Sequence, residues 1–149
     1  MRYEKSCGAV VFTKSEEGIR FLLVRSLDGV YGFPKGHTEG SETEIETALR
    51  EVFEETHLKI KIVDGFKATD EYPLAHKKKT FKKVTYFLGT FENQEVIYQK
   101  EELSGAVFVS YEEAMKLLKF ESSRRILNEA FECLMSPGNI DSLNDGEKV

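Results

Sequence analysis

The most informative stretch of this sequence is residues 36–58, which read GHTEGSETEIETALREVFEETHL. Its periodicity predicts a helix over residues 41–57. The buried face of that helix is expected to carry apolar and small side chains at helical spacing: Ile45, Ala48, Leu49, Val52 and Thr56. Ser41, followed three positions later by Glu44, is typical of a capping box at a helix start.

Three glutamates, Glu51, Glu54 and Glu55, fall on one flank of the predicted helix because residues three and four apart share a helix face. Like charges at this spacing destabilise a helix by about 0.2–0.5 kcal/mol per pair. Such a cluster can be a plain solvated face, but this one follows a Gly- and Pro-rich segment at 26–40 and includes Arg50. Carboxylate oxygens suit Mg²⁺, so the pattern predicts a cation site.

The spacing of these residues resembles the Nudix box, Gly-x5-Glu-x7-Arg-Glu-U-x-Glu-Glu-x-Gly-U, in which U is a bulky aliphatic residue. Eight of the nine specified positions match, beginning with Gly36 and Glu42 and ending with Leu58. The exception is His57, where the family has a Gly that ends the helix in a left-handed conformation. A non-Gly residue there costs about 1–2 kcal/mol, so we expect a local loss of stability. The alternative is that His57 is a site residue.

This resemblance implies a hydrolase of nucleoside diphosphates linked to another moiety. It also implies an α/β (α+β) protein with the Nudix fold, an α/β/α sandwich around a mixed β-sheet. The element order read from the sequence agrees with that fold. Strands are predicted at 7–13, 19–25, 60–72, 80–92 and 106–109, and further helices after a Ser110 cap and at 122–135. The expected domain spans residues 1–136, and residues 137–149 form a polar, frayed tail.

The resemblance also implies roles for residues around the helix. The implied ligands of Mg²⁺, or of Mn²⁺ as an alternative, are Glu51, Glu54, Glu55 and a backbone carbonyl from Lys35 or Gly36. Arg50 is implied to orient a glutamate through charge-assisted hydrogen bonds. Glu42 is interpreted as structural, since an acidic residue suits a helix start.

Nudix enzymes commonly draw one more carboxylate from a downstream loop ahead of the last strand. The candidates here are Glu101 and Glu102, and Glu102 is favoured because it stands six residues before the aromatic Phe108. The general base could be Glu51, Glu54 or Glu102, and spacing does not choose among them.

The run from Phe33 to His37 is similar to that of asymmetrical dinucleoside tetraphosphatases, which cut diadenosine tetraphosphate to ATP and AMP. This resemblance implies phosphate contacts for four basic side chains: Lys35, His37, Lys82 and Lys83. It implies that Tyr86 stacks on a nucleobase, a contact that contributes about 1–3 kcal/mol. The alternatives are that Tyr86 is an ordinary sheet aromatic and that Lys77–Lys79 are solubility charges.

Other functions of the same fold remain open: pyrophosphohydrolysis of RNA 5′-triphosphates, hydrolysis of nucleoside triphosphates, and hydrolysis of diphosphoinositol phosphates. A different class is a non-catalytic nucleotide-binding regulatory module. Retention of Arg50 together with all three helix glutamates favours an enzyme.

Composition narrows the class of protein. Of 149 residues, 40% are hydrophobic and 11% aromatic, which favours one folded domain over disorder. The net charge of −5 disfavours binding to duplex nucleic acid. The apolar runs are too short to span a bilayer, and no export signal is visible, so the expected location is the cytoplasm, with no membrane association. Cys7 and Cys133 are expected to be reduced, and a monomer is favoured, although the sequence leaves the oligomeric state open.

Overall fold

A mixed β-sheet of seven strands forms the centre of the computed structural model, which describes residues 2–136. The strands are β1 (Arg2–Ser15), β2 (Gly18–Ser26), β3 (Tyr31–Gly32), β4 (Lys35–His37), β5 (Lys61–Pro73), β6 (Thr80–Thr90) and β7 (Leu103–Val109). The helices are α1 (Glu44–Thr56), α2 (Tyr111–Leu117) and α3 (Glu121–Met135). The main strand order is β3-β2-β1-β6-β5, and β4 and β7 pair with β1 and β2. Strands β1 and β6 are parallel and the other pairs antiparallel, which confirms the predicted mixed sheet.

The helices cover the two faces of this sheet. Successive side chains of a strand point to opposite faces. Val11 of β1 therefore packs with Val52 of α1, while Val10 packs in the cluster that includes Ile126 and Leu127 of α3. Since α1 lies on one face and α2 and α3 on the other, the molecule is the α/β/α sandwich that the sequence predicted.

Helix α1 begins later than predicted. Its N-cap is Thr43, whose Oγ1 accepts a hydrogen bond from Glu46 N at 3.1 Å, while the Glu46 carboxylate accepts one from Thr43 N at 2.8 Å. The predicted capping box at Ser41 and Glu44 was therefore wrong. The chain turns just before the helix, where Glu42 N donates to the carbonyl of Glu39, and this turn directs the Glu42 carboxylate toward α1.

One residue that was predicted to lie on the buried face of α1 is exposed. Ile45 is 41% exposed, whereas Thr47 and Glu55 are buried. Thr47 is buried because its hydroxyl donates to Glu42 and to the carbonyl of Thr43, so a polar residue occupies the position without an unmet hydrogen bond.

The end of α1 matches the expected backbone. His57 has φ 63°, in the left-handed region, and its N–H donates to the Phe53 carbonyl at 2.8 Å. Its Nδ1 lies 3.2 Å from the carbonyl oxygen of Ile97. His57 therefore performs the capping role of the usual glycine and adds a contact to the segment before β7.

Residues 26–40 are not a continuous loop, because they contain β3 and β4. Strand β4 pairs with β1 in the register Gly8 to Lys35. A side chain at residue 8 would overlap the backbone of Pro34, so a glycine there allows the close approach of β4.

The remaining boundaries shift by a few residues. Strand β1 begins at Arg2 and β7 at Leu103, both earlier than predicted, and Ser110 caps α2 as predicted. Within residues 2–136, no helix has the length and apolar character needed to cross a membrane. The predicted polar tail at 137–149 lies outside the described residues.

Candidate active site

Arg50 of α1 is the centre of a hydrogen-bonded network at the edge of β4. Its Nε and Nη2 donate to the two carboxylate oxygens of Glu42 at 2.6 and 3.0 Å. Its Nη1 donates to Glu54 at 2.9 Å and to Glu51 at 3.3 Å, and Nη2 donates to the His37 carbonyl at 2.8 Å. The guanidinium lowers the pKa of Glu42 from 4.5 to about 2. Arg50 therefore holds the helix glutamates and β4 in one arrangement.

Glu51 lies directly against β4. A Cβ atom at residue 36 would overlap its carboxylate, so only a glycine there leaves room for Glu51. Burial raises the pKa of Glu51, and the charge of Glu54 raises it further, while Arg50 opposes both effects. The glycine at 36 is therefore part of the acidic site itself.

Glu55 is a buried carboxyl group on the same helix, 7% exposed. Its Oε2 accepts a hydrogen bond from Lys35 N at 3.1 Å. Burial raises its pKa to about 8, the Lys35 amide opposes that rise, and the charges of Glu51 and Glu102 add to it. Glu55 and Glu102 line the same cavity, which is described below.

Glu102 is carried by the irregular segment between β6 and β7. Two backbone N–H groups of this segment donate to carbonyls at the end of α1: Ile97 N to Thr56 O at 3.0 Å and Gln99 N to Glu55 O at 2.9 Å. The last carbonyls of a helix have no partner within it, so this segment satisfies them. A turn from Gln99 to Glu102 then places the Glu102 side chain at the cavity described below.

The acidic side chains fit a hard divalent cation in chemical kind and in charge. Burial and mutual repulsion raise the pKa of both Glu51 and Glu55, and a bound cation would relieve both effects. As the side chains stand, no three His, Cys, Asp or Glu groups among the described residues converge closely enough to hold an ion. Arg50 engages Glu54 and the Lys35 amide engages Glu55, so these carboxylates are hydrogen-bonded within the protein.

A cavity of about 750 Å³ opens beside these carboxylates on the α3 face of the sheet. Glu55, Glu102 and Lys35 contribute polar groups to its wall. Aromatic side chains line it as well: Tyr31, Tyr72, Tyr86 and Phe120. A cavity of this size with apolar walls and a few charged groups is typical of a small-molecule site.

Most of the chain is similar to known proteins. The family model of the NUDIX domain matches residues 2–131. A mouse (Mus musculus) protein named bis(5′-nucleosyl)-tetraphosphatase (asymmetrical) is 31% identical over 144 residues, covering 89% of this chain and 96% of the mouse chain. The chain belongs to the Nudix hydrolase family. The eight matching positions of the Nudix box are therefore family positions, and Arg50 and the three glutamates of α1 lie among them.

Solved structures are similar to this Nudix hydrolase as well. The C. elegans Ap4A hydrolase binary complex has a TM-score of 0.80 and 26% identity, and the match covers 88% of this chain and 97% of that one. The E. coli dihydroneopterin triphosphate pyrophosphohydrolase has a TM-score of 0.70 at 19% identity and covers 87% of this chain and 97% of its own, which shows the shared fold alone.

Two of the four predicted basic residues, Lys82 and His37, are in direct contact, but neither lines the cavity. Lys82 is only 7% exposed, and its Nζ lies 3.3 and 3.4 Å from the two ring nitrogens of His37. Burial lowers the pKa of Lys82, and the nearby charge of Lys35 lowers it further. Lys83 follows on the opposite face of β6, where its charge acts on Glu44 of α1, so the structure does not bring it to the cavity.

All three lysines of the loop between β5 and β6 are exposed, and one of them is paired. Lys77 forms an ion pair with Glu4 of β1, and its charge contributes to the lowered pKa of Lys82. Lys78 and Lys79 are exposed. The loop therefore adds positive potential near Lys82 through Lys77.

Tyr86 lines the cavity but is only 6% exposed. Phe33 packs against it edge to face, with ring centroids 5.5 Å apart. Phe120 is 52% exposed and Tyr72 37% exposed at the same cavity. The accessible aromatic faces thus belong to two residues that the sequence analysis missed. No sequence pattern marked Phe120, which stands two residues before the predicted helix at 122–135.

Proposed function

We propose that this Nudix hydrolase cleaves diadenosine tetraphosphate asymmetrically, to ATP and AMP, and depends on Mg²⁺ or, as an alternative, Mn²⁺. The observation that carries the proposal is one cavity lined by the buried Glu55, the exposed Glu102, a lysine and exposed aromatic rings. A dinucleoside polyphosphate has the matching parts, an anionic chain between two aromatic bases. The name of the mouse relative supports the same substrate class.

The cation would be held by the carboxylates of α1 and by groups beside them: Glu51, Glu54, Glu55, Glu102 and a backbone carbonyl of Lys35 or Gly36. When bound, it supplies positive charge that neutralises the phosphate chain and makes the attacking water more acidic. Arg50 keeps Glu51 and Glu54 on the correct side of α1 through the hydrogen bonds at 3.3 and 2.9 Å. Side chains of this protein orient the substrate and accept the proton of the attacking water.

The substrate is oriented by groups that surround the cavity. Lys35, which lines the cavity with Glu55, binds oxygens of the phosphate chain. Lys82 and His37, which contact each other, bind oxygens further along the chain. The nucleobases stack on Tyr72 and Phe120, whose rings are exposed at the cavity, and not on the buried Tyr86.

Hydrolysis adds water across one phosphoanhydride bond. The water oxygen bonds to one phosphorus, the bridging P–O bond breaks, and the bridging oxygen leaves with the other phosphate. The water proton passes to a glutamate, for which Glu54 and Glu102 are the accessible candidates: the Glu54 side chain is 44% exposed and Glu102 lines the cavity. Glu51 lies packed against Gly36 and is the third candidate.

Product analysis in ¹⁸O-labelled water tests the proposal. The expected products from diadenosine tetraphosphate are ATP and AMP, with the label in only one of them. Two molecules of ADP would contradict asymmetric cleavage. No reaction with dinucleotides, but pyrophosphate release from 5′-triphosphate RNA or from nucleoside triphosphates, would move the function to those substrates. Binding without any turnover in the presence of Mg²⁺ or Mn²⁺ would identify a regulatory module instead.

We further propose that the protein acts in the cytoplasm as a monomer. Cys7 is buried and forms no disulfide. A buried thiol that stays reduced suits a reducing compartment. Light scattering of the purified protein would test the monomer, and a particle of twice the 17.0 kDa chain mass would contradict it.

A further inference from the structure

Ser6 of β1 carries an unusual hydroxyl group. Its Oγ is the one buried side-chain polar atom without a hydrogen-bond partner in the part of the chain that the structure describes. The residue is 1% exposed. A buried hydroxyl without a partner destabilises a folded protein, so its presence calls for an explanation.

The strand register shows what surrounds Ser6. It pairs with Val84 of β6 on one side and with His37 of β4 on the other. Paired residues of neighbouring strands point to the same face of a sheet, and Val84 belongs to the α3 face. The Ser6 side chain therefore points to the face that carries the cavity, and so does the paired His37.

Lys82 of β6 points to the same face of the sheet as Ser6. It is two residues from Val84 on the same strand, so it shares the same face. Strands β6 and β4 lie on opposite sides of β1, yet Lys82 Nζ and the His37 ring approach to 3.3 Å. Their contact therefore crosses β1 on the face to which Ser6 points.

The three groups are mismatched in the free protein. An ammonium, an imidazole and a hydroxyl all have protons to donate. Among residues 2–136, Lys82 Nζ makes its hydrogen-bond contacts with the His37 ring alone. The carboxylate nearest in register is Glu4, which is engaged by Lys77. The hydroxyl and a neutral imidazole can also accept, but the three groups together carry more donor protons than acceptor sites, which suits an anion.

The position of the cluster relative to the acidic site is set by β4. Lys35, at one end of β4, donates its N–H to Glu55. His37 is two residues further along, a distance of about 7 Å at the rise of an extended strand. An anionic oxygen at this cluster therefore belongs to a phosphate remote from the carboxylates.

We propose that the Ser6 hydroxyl donates a hydrogen bond to a remote phosphate of the substrate, at a subsite completed by Lys82 and His37. The inference rests on the proposed function and deepens it. A substrate oxygen enters between Lys82 and His37 and supplies the acceptor that Ser6 lacks. Only a long phosphate chain reaches from the carboxylates to this subsite, so Ser6 contributes to selection for chain length.

The test is Ser6→Ala, which removes the hydroxyl with little change in volume. We expect KM for diadenosine tetraphosphate to rise about tenfold, which corresponds to about 1.4 kcal/mol, with kcat within twofold of wild type. KM for diadenosine diphosphate, whose chain is too short, should not change. The Tm should stay equal to that of wild type or rise, because the variant has lost an unsatisfied hydroxyl.

The matched control is Cys7→Ala, which removes one atom from the adjacent residue of β1. Cys7 is equally buried, at 1% exposed, but points to the α1 face. We expect this variant to lower Tm and leave KM unchanged. An unchanged KM in Ser6→Ala, or a loss confined to kcat, would overturn the proposal.

Binding of inorganic tripolyphosphate, followed by calorimetry without metal, separates this proposal from the proposed function. If wild type fails to hydrolyse diadenosine tetraphosphate but Ser6→Ala still weakens tripolyphosphate binding about tenfold, the subsite stands and the substrate assignment falls. If wild type hydrolyses the dinucleotide and Ser6→Ala binds tripolyphosphate as wild type does, the substrate assignment stands and the subsite falls.

Discussion

Arg50 and Lys82 are two cations on either side of His37, and their surroundings are opposite. Arg50 donates to Glu42, Glu51, Glu54 and the His37 carbonyl, whereas the Nζ of Lys82 meets the His37 ring. A cation whose protons all have acceptors within the protein holds those acceptors in place. A buried cation without such acceptors destabilises the free protein and gains them when an anionic ligand binds. The difference separates the scaffold of the site from its ligand-binding part.

The largest expected effect is on the scaffold side, at a carboxylate that Arg50 holds. Glu54→Gln keeps the shape of the side chain and removes its charge, so kcat should fall by at least about 10²-fold. Binding of the nucleotide should be affected less than turnover. Steady-state kinetics with diadenosine tetraphosphate measures both quantities, and a rate close to wild type would remove Glu54 from the catalytic group.

Arg50→Lys breaks the network while keeping the charge. A lysine lacks the planar fork that reaches several acceptors at once, so we expect kcat to fall about tenfold to a hundredfold through misplacement of the glutamates. The Tm should fall as well. The control is Arg125→Lys on α3, which changes the same chemistry at an exposed pair with Glu129. Equal behaviour of the two variants would contradict the scaffold role.

Lys82→Met should have the reverse pattern. We expect KM to rise about tenfold, the loss of one charge-assisted contact, while Tm stays the same or rises because a poorly solvated charge is gone. Lys61→Met, at an exposed position of β5, is the control for loss of positive charge. A lower Tm together with an unchanged KM in Lys82→Met would place Lys82 in the scaffold with Arg50.

The smallest effects are in the pH dependence of stability, which should rise with pH in both regions but in different pH windows. Arg50 lowers the pKa of Glu42 from 4.5 to about 2, so the stabilisation from this pair is complete above pH 4.5 and is lost as the pH falls toward 2. Burial lowers the pKa of Lys82, so the folded state binds fewer protons there and stability should rise with pH as the pH approaches 10.5.

Thermal melts across a range of pH measure both contributions to stability. The Tm difference between wild type and Glu42→Gln should shrink in acid. The difference between wild type and Lys82→Met should shrink in alkali. A constant difference across the whole range would contradict the corresponding pKa shift.

The two regions also differ in how far the sequence predicted them. The helix register placed Glu51, Glu54 and Glu55 on one flank with Arg50 beside them, because 3.6 residues per turn fixes neighbours within a few positions. It failed at the start of α1, where Ser41 and Thr43 both have a capping-box partner three residues on and only Thr43 is the cap. The choice depends on the turn that brings Glu42 to Arg50, a contact eight residues apart.

What the sequence by itself determined was therefore local: the helix that carries the glutamates, the strands and the family. The tertiary structure decided which distant residues meet. Ser6, His37 and Lys82 come together through the pairing of β1 with β4 and β6, and Tyr86 is buried while Phe120 and Tyr72 are exposed at the cavity. The physical reason is that a strand alternates faces at every residue, so its register with a distant strand, which no local pattern specifies, decides which side chains share a site.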